Sequence, residues 1–361
     1  MSREVLAPPL LRMGNNRCYR VNLIHEDFQN SQQGAIAAQQ KGETAKPYME
    51  DDLYGDDYND DLDGQDACDI EETANGQFKL AMHVASSFYG GIIGFKGSTK
   101  RRIEGETQCS INIPQKTPTN KTSEAKVIIT GRTRNSVATT RRKIQLLVAS
   151  LRKRMKATHF YGVTMTSDEI RENFKKLKAQ ILEAEIPGVV EELFQFDHKL
   201  HLTLGICVLL DDTERKKAVE ILESCREFLT GLQTPFNVKC SGLEIMNDDP
   251  SSVRVLYANV ESAELQTFAN LCFERFNKSR LGIDDFDRGC VKLHMTIMNN
   301  RYLEREVPNT TTKTFDAREI LKRWGNYHFG SAQCNEVLLC ALGSTAEHRD
   351  FYKITGSLKF T

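Results

Sequence analysis

The sequence predicts an α+β protein in which a small basic module of order β-α-α-β-β-α precedes a larger domain of seven strands and four helices. Apolar alternation of period two recurs in short runs, apolar spacing of period 3.6 recurs between them, and charge is segregated along the chain. Its 361 residues suggest two domains with length to spare, and 40% apolar with 27% charged residues allows a sizeable core. No run approaches the ~18 uninterrupted apolar residues of a membrane span. Arg3, Glu4 and two prolines occupy the start, where a signal peptide would be apolar, so neither secretion nor membrane insertion is expected. The ten cysteines form no Cys-x-x-Cys pair and no Cys/His cluster at zinc spacing, and read as reduced, mostly buried thiols of a cytosolic or nuclear protein.

Residues 76–158 hold 17 Lys+Arg and 3 Asp+Glu, a local charge of +14 inside a chain of net charge −1. Ahead of them, residues 41–75 carry 13 acids against Lys41 and Lys46 with almost no apolar periodicity. Such a segment buries too little surface to offset its chain entropy, so residues 25–75 are expected to be largely disordered. The acidic stretch could also compete with nucleic acid for the basic module. Within residues 1–24, Leu10, Leu11, Arg12, Arg17, Tyr19, Arg20 and Val21 have the composition of a short docking peptide, or simply of a frayed terminus.

In the basic module, Phe78, Leu80, Met82 and Val84 alternate on one face of a strand, and Cys109, Ile111 and Ile113 repeat the pattern. Val127–Thr130 supplies a third run. Val137, Ile144, Leu147, Leu151 and Met155 then recur at helical spacing, opposite Arg134, Arg141, Arg142, Lys143, Arg152, Lys153 and Arg154. Between the first two strands lies Gly94-Phe-Lys-Gly97. Glycines at both ends let the backbone press against a sugar-phosphate chain, the next helix offers amides, and Lys96, Lys100, Arg101 and Arg102 supply charge. Alone, Gly-x-x-Gly is most often a turn; with this strand order and this charge it points to nucleic acid. Residues 76–158 thus resemble a type I KH domain. The resemblance implies a groove for about four nucleotides of single-stranded RNA or DNA. Ile93, Gly94, Phe95, Lys96, Gly97, Lys100 and Arg101 would contact it, with Ile93 and Ile103 lining the groove.

The remainder, residues 159–361, alternates helices (Asp168–Ala184, Thr213–Leu229, Glu261–Phe276, Asp316–Arg323) with strands at Phe160–Thr166, His201–Leu210, Phe236–Ile245, Arg254–Val260, Leu293–Met298, Asn335–Ala341 and Lys353–Phe360. Two strands look alike. In one, Leu202, Leu204, Ile206, Val208 and Leu210 are expected to point inward while His201 and Thr203 project together from the other face. In the second, Leu293, Met295 and Ile297 point inward and His294 and Thr296 project. Helix-to-histidine intervals of 31 residues (from Ile170) and 29 (from Leu265) suggest an internal duplication, with the two strands facing each other across a cleft.

Two imidazoles flanking a phosphodiester can act as general base and general acid, and two threonine hydroxyls can donate to the nonbridging oxygens. Neither motif carries the acidic ligands of a two-metal nuclease or a serine on a tight turn. A single His-x-Thr is usually a packing feature; the matched pair carries the signal. The arrangement resembles the two-histidine phosphoesterase superfamily over residues 159–361. The resemblance implies a bilobal, pseudo-symmetric, LigT-like fold and metal-independent chemistry on RNA ends or 2′,3′-cyclic phosphates without a cofactor. His201 and His294 would be catalytic, and Thr203 and Thr296 would bind substrate. A non-catalytic adaptor that recognises an RNA end, and a ligase of RNA ends, share these residues. The KH and two-histidine pairing, with Met246-Asn-Asp-Asp-Pro250 between the motifs, further resembles a subunit family of a helicase-containing coactivator complex. That resemblance implies nuclear localisation, roles in transcriptional coactivation and the alkylation-damage response, and docking on the helicase subunit through Arg17, Tyr19, Arg20 and Val21.

Overall fold

Three β-sheets of different size organise the described residues of a computed structural model, which are 10–13, 17–20, 69–114, 126–283, 289–306, 313–343 and 351–360. The chain divides into residues 1–63 and 64–361. In the first unit, β1 (Leu10–Met13) and β2 (Arg17–Arg20) pair antiparallel, Leu11 opposite Tyr19. This places Arg17, Tyr19 and Arg20 on a hairpin strand; Val21 and most of the acidic segment lie outside the described residues.

The second unit opens with β3 (Glu71–Glu72), which pairs with β4 (Phe78–Met82). The tail of the acidic segment therefore belongs to the basic module, contrary to the expectation of disorder through residue 75. Ile70 anchors it, buried in that module's core. Then follow α1 (Tyr89–Ile93), α2 (Ser98–Thr107), β5 (Cys109–Asn112), β6 (Val127–Gly131) and α3 (Arg134–Lys153), in sheet order β3-β4-β6-β5. Thr133 caps α3, its hydroxyl accepting from the Ser136 amide.

The larger sheet has eight antiparallel strands in the order β12-β9-β10-β11-β8-β7-β13-β14. These are β7 (His159–Thr164), β8 (His201–Cys207), β9 (Phe236–Ile245), β10 (Val255–Glu261), β11 (His294–Asn299), β12 (His328–Cys334), β13 (Glu336–Ala341) and β14 (Lys353–Lys359). The helices are α4 (Asp168–Glu183), α5 (Asp212–Ser224), α6 (Ala263–Lys278), α7 (Asn300–Glu306) and α8 (Arg318–Trp324). The halves β7-α4-β8 and β10-α6-β11 repeat one motif, placing both histidine strands at the centre of the sheet. They are not separated by a cleft, as the internal duplication suggested, but are neighbours in the sheet, paired through Leu202 and Met295.

A bulge corrects one inward assignment. Register passes from Tyr161↔Gly205 to Gly162↔Thr203, leaving Leu204 as the extra residue. Parity then flips, so Cys207 enters the main core while Ile206 turns to the opposite face beside Phe160 and Leu338. Gly205 permits this, since a Cβ there would lie 2.1 Å from the Tyr161 hydroxyl.

Within this unit the basic module is clamped to the sheet domain. Arg152, expected on the basic face of α3 opposite its apolar stripe, is instead 4% exposed. Its guanidinium donates to Glu214 Oε1 (2.5 Å) and Oε2 (3.1 Å) and to the Val208 carbonyl, and packs on the Phe88 ring. His83 Nε2 lies 3.0 Å from Asp211, Arg280 donates to Gln145 at 2.8 Å, and Leu210 packs into the module's core. Seven of the eight cysteines described with their side chains are buried; Cys290 is exposed. No helix among the described residues is long and apolar enough to cross a membrane.

Candidate active site and nucleic-acid loop

Both histidines start their strands, and both are locked by the same contact. His201 Nδ1 lies 2.7 Å from the Lys199 carbonyl and His294 Nδ1 lies 2.8 Å from the Lys292 carbonyl. A carbonyl only accepts, so each Nδ1 carries hydrogen and each Nε2 is left for chemistry. The antiparallel pair Leu202↔Met295 sets His201 across from Thr296 and Thr203 across from His294, giving a four-residue square with the histidines on one diagonal. Alternation keeps Leu202 and Met295 in the core beneath.

Each imidazole rests on aromatic rings. Phe160 lies 4.7 Å from His201 between centroids, and Tyr352 meets His201 edge-on at 5.3 Å. On the other side Tyr257 meets His294 edge-on at 5.4 Å, its hydroxyl donating to Glu244 at 2.7 Å. Burial pushes the His201 pKa down to about 4, the Lys199 carbonyl opposes the shift, and the charge of His294 lowers it further. His201 is therefore neutral at physiological pH. The charge of His294 thus reaches His201.

The histidine motif is longer than His-x-Thr. Lys199-Leu-His-Leu-Thr203 and Lys292-Leu-His-Met-Thr296 share a lysine two residues before the histidine. Leu200 and Leu293 are buried between lysine and histidine, Lys199 closing the helical turn Asp197–Lys199 and Lys292 standing just ahead of β11. The repeated Lys-Leu was the sequence signal for these lysines, and His-x-Thr alone passes over it.

In the basic module, the predicted loop joins α1 to α2. Gly94 has φ 70° and ψ 177°, Lys96 φ 48° and Gly97 φ 79°. Phe95 stands 81% exposed at the tip and Ile93 is exposed beside it. Lys96 Nζ lies 5.4 Å from the Phe95 ring centroid and Lys100 pairs with Glu104 at 3.7 Å. Two expectations change. Ile103 is 4% exposed and packs in the core rather than lining a groove, because α2 turns it toward β5 and α3. Arg101 braces the loop from within, donating to the Lys96 and Gly97 carbonyls. At Gly94 a Cβ would sit 2.2 Å from Thr99 Oγ1 and 2.9 Å from the Thr99 amide nitrogen. Gly94→Ala is therefore expected to deform the loop and weaken RNA binding about fivefold or more, the strain of a forced backbone being ~1–3 kcal/mol. Fluorescence anisotropy with a short single-stranded RNA checks this; unchanged affinity would remove the loop from the interface.

Comparison with known proteins matches residues 79–146 to the KH domain family and residues 157–360 to the AKAP7 2′5′ RNA ligase-like domain family. Activating signal cointegrator 1 complex subunit 1 of Mus musculus is 33% identical over 362 residues, 92% of this chain and 93% of the mouse protein. Among solved structures, a Thermus thermophilus protein is 17% identical with a TM-score of 0.38, covering 56% of this chain and 97% of its own. A phosphoesterase crystal structure is 16% identical with a TM-score of 0.36, covering 57% and 99%.

Proposed function

The chain belongs to the family of activating signal cointegrator 1 complex subunit 1, and on that premise we propose that it is an RNA-binding, metal-independent phosphodiesterase acting on single-stranded RNA or RNA ends. The observation that carries the reading is the diagonal pair of Nδ1-locked histidines, each opposite a threonine. His201, neutral, takes the proton of the attacking hydroxyl at Nε2. His294, protonated, delivers its Nε2 proton to the leaving oxygen, and the hydroxyls of Thr203 and Thr296 donate to the nonbridging oxygens as charge builds. The KH loop holds the strand through its backbone. As a subunit of a nuclear coactivator and alkylation-response complex, the chain would dock on the helicase subunit of the activating signal cointegrator complex through Arg17, Tyr19, Arg20 and Val21.

The test is the pH dependence of kcat/KM on short labelled single-stranded RNAs in EDTA. The expected profile is bell-shaped. Its acid limb reflects protonation of His201, centred near about 4, and its alkaline limb the loss of the His294 proton. A flat profile would contradict the acid-base pair. Tight RNA binding with no product at any pH would make the domain a recognition module.

A further inference from the structure

The same three-residue unit is built twice, once at each end of the square. Lys199 Nζ lies 5.5 Å from the Tyr352 ring centroid, and Tyr352 meets His201 edge-on with an interplanar angle of 80°. Lys292 Nζ lies 4.8 Å from the Tyr257 ring centroid, and Tyr257 meets His294 edge-on at 71°. The tyrosines come from unrelated positions, one just ahead of β14 and one on β10, so the repetition is not a by-product of the duplicated motif. The Phe196 ring also flanks Lys199, at 5.4 Å. At the other end Glu244 accepts from Tyr257 and from Asn259, and its carboxylate is held below its usual range, first by those hydrogen bonds and then by the Lys292 charge.

Register converts this repetition into a track. The two strands run antiparallel with His201 beside Thr296 and Thr203 beside His294, so the lysine that precedes each strand stands at its own end of the square, Lys199 at one and Lys292 at the other. Lys199 closes the short helical turn Asp197–Lys199 and Lys292 stands just ahead of β11, each two residues before its own histidine. On the phosphodiesterase reading, the inner square holds the reacting phosphate between the two imidazoles. Lysine is a compact, strongly hydrated point charge suited to a phosphate it does not have to orient, whereas the reacting phosphate is met by directional groups.

We propose that Lys199 and Lys292 are the phosphate-binding cations at the two ends of the site, so that the substrate is a single strand carrying a phosphate on each side of the linkage being cut. This rests on the phosphodiesterase reading. It deepens that reading by placing the scissile linkage inside a strand rather than at a bare terminal phosphate.

The experiment uses the full chain, its Lys199→Gln and Lys292→Gln variants, and short RNAs in which the phosphate on one side of the cut, the other side or both is replaced by a neutral methylphosphonate. Glutamine keeps the side-chain stem over the ring and the backbone carbonyl on the histidine; thermal melts check folding. Each variant is expected to raise KM about tenfold or more with kcat little changed, the scale of losing one charge-assisted contact. Neutralising one flank is expected to erase the effect of one lysine variant and leave the other's intact, and neutralising the opposite flank to reverse the assignment. Equal sensitivity of both variants to either flank would reduce the lysines to general electrostatics and overturn the proposal. So would a dinucleoside monophosphate cleaved as efficiently as the longer strand. The same matrix read by anisotropy with the His201→Ala chain separates the two claims. Lysine-specific binding without turnover in the parent chain would sink the catalytic reading and keep the phosphate track; turnover without lysine specificity would do the opposite.

Discussion

Replacing His201 or His294 by alanine is expected to lower RNA cleavage in EDTA by a factor of about 100 or more in each case, the size of losing a general acid or base. The losses are not expected to multiply in the double variant, because the groups serve one proton-transfer sequence. RNA affinity should change little, since the basic module and its loop are left intact. A second signature follows from protonation. The His201 pKa is lowered from 6.5 to about 4, first by burial, so the neutral imidazole is the form the fold favours. Its contribution to stability is complete above about pH 6.5 and is lost as pH falls through the window down to 4. His201→Ala is therefore expected to flatten the acid side of the stability profile, measured by thermal melting across pH. The flattening will be partial, because burial and the charge of Arg215 also lower His159 to about 4.

The second large effect is structural. Arg152→Ala removes the partner of a carboxylate that is 5% exposed, strands the Val208 carbonyl and empties the space over Phe88. Breaking a buried pair from one side costs about 3–5 kcal/mol, whereas replacing both partners by well-packed apolar groups is often close to neutral. Denaturant unfolding is expected to show a loss of that size for Arg152→Ala and only partial recovery in Arg152→Met with Glu214→Leu, which still leaves the Val208 carbonyl and the Leu210 amide without their side-chain partners. Arg152→Lys should not recover stability, because one ammonium cannot reproduce the forked contact to both oxygens of Glu214. A loss below about 1 kcal/mol, the surface ion-pair range, would mean that the contact does not clamp the two parts of the unit.

What the sequence made legible was periodic and local. Strand β9 falls at Phe236–Ile245 as its alternation indicates, and the two histidine strands keep their shared parity from His201 to Leu204 and from Leu293 to Ile297. The β-α-α-β-β-α order of the basic module is likewise read from alternation, helical spacing and one glycine loop. What escaped was set by distant partners. Arg152 reads as one more cation on a basic helix face until Glu214, 62 residues on, reaches it. Ile206 reads as inward until the bulge opposite Tyr161 shifts the register. Strand β12 was missed because Gly330, Ser331 and Ala332 offer little apolar contrast, and α7 because it follows β11 with no breaking residue. The lysines before each histidine were visible as letters, but a charged residue beside a strand reads as a solvated flank. Tyr352 and Tyr257 give them a place in the site.

The most direct test of the two-histidine mechanism is a single comparison in EDTA: short labelled single-stranded RNAs, some ending in 2′,3′-cyclic phosphate, incubated with the parent chain and with the His201→Ala, His294→Ala double variant at matched RNA occupancy. The account predicts product from the parent chain and a rate lower by about 100-fold or more from the double variant. Equal rates from the two proteins, or activity in the parent chain that vanishes on chelation, would contradict it.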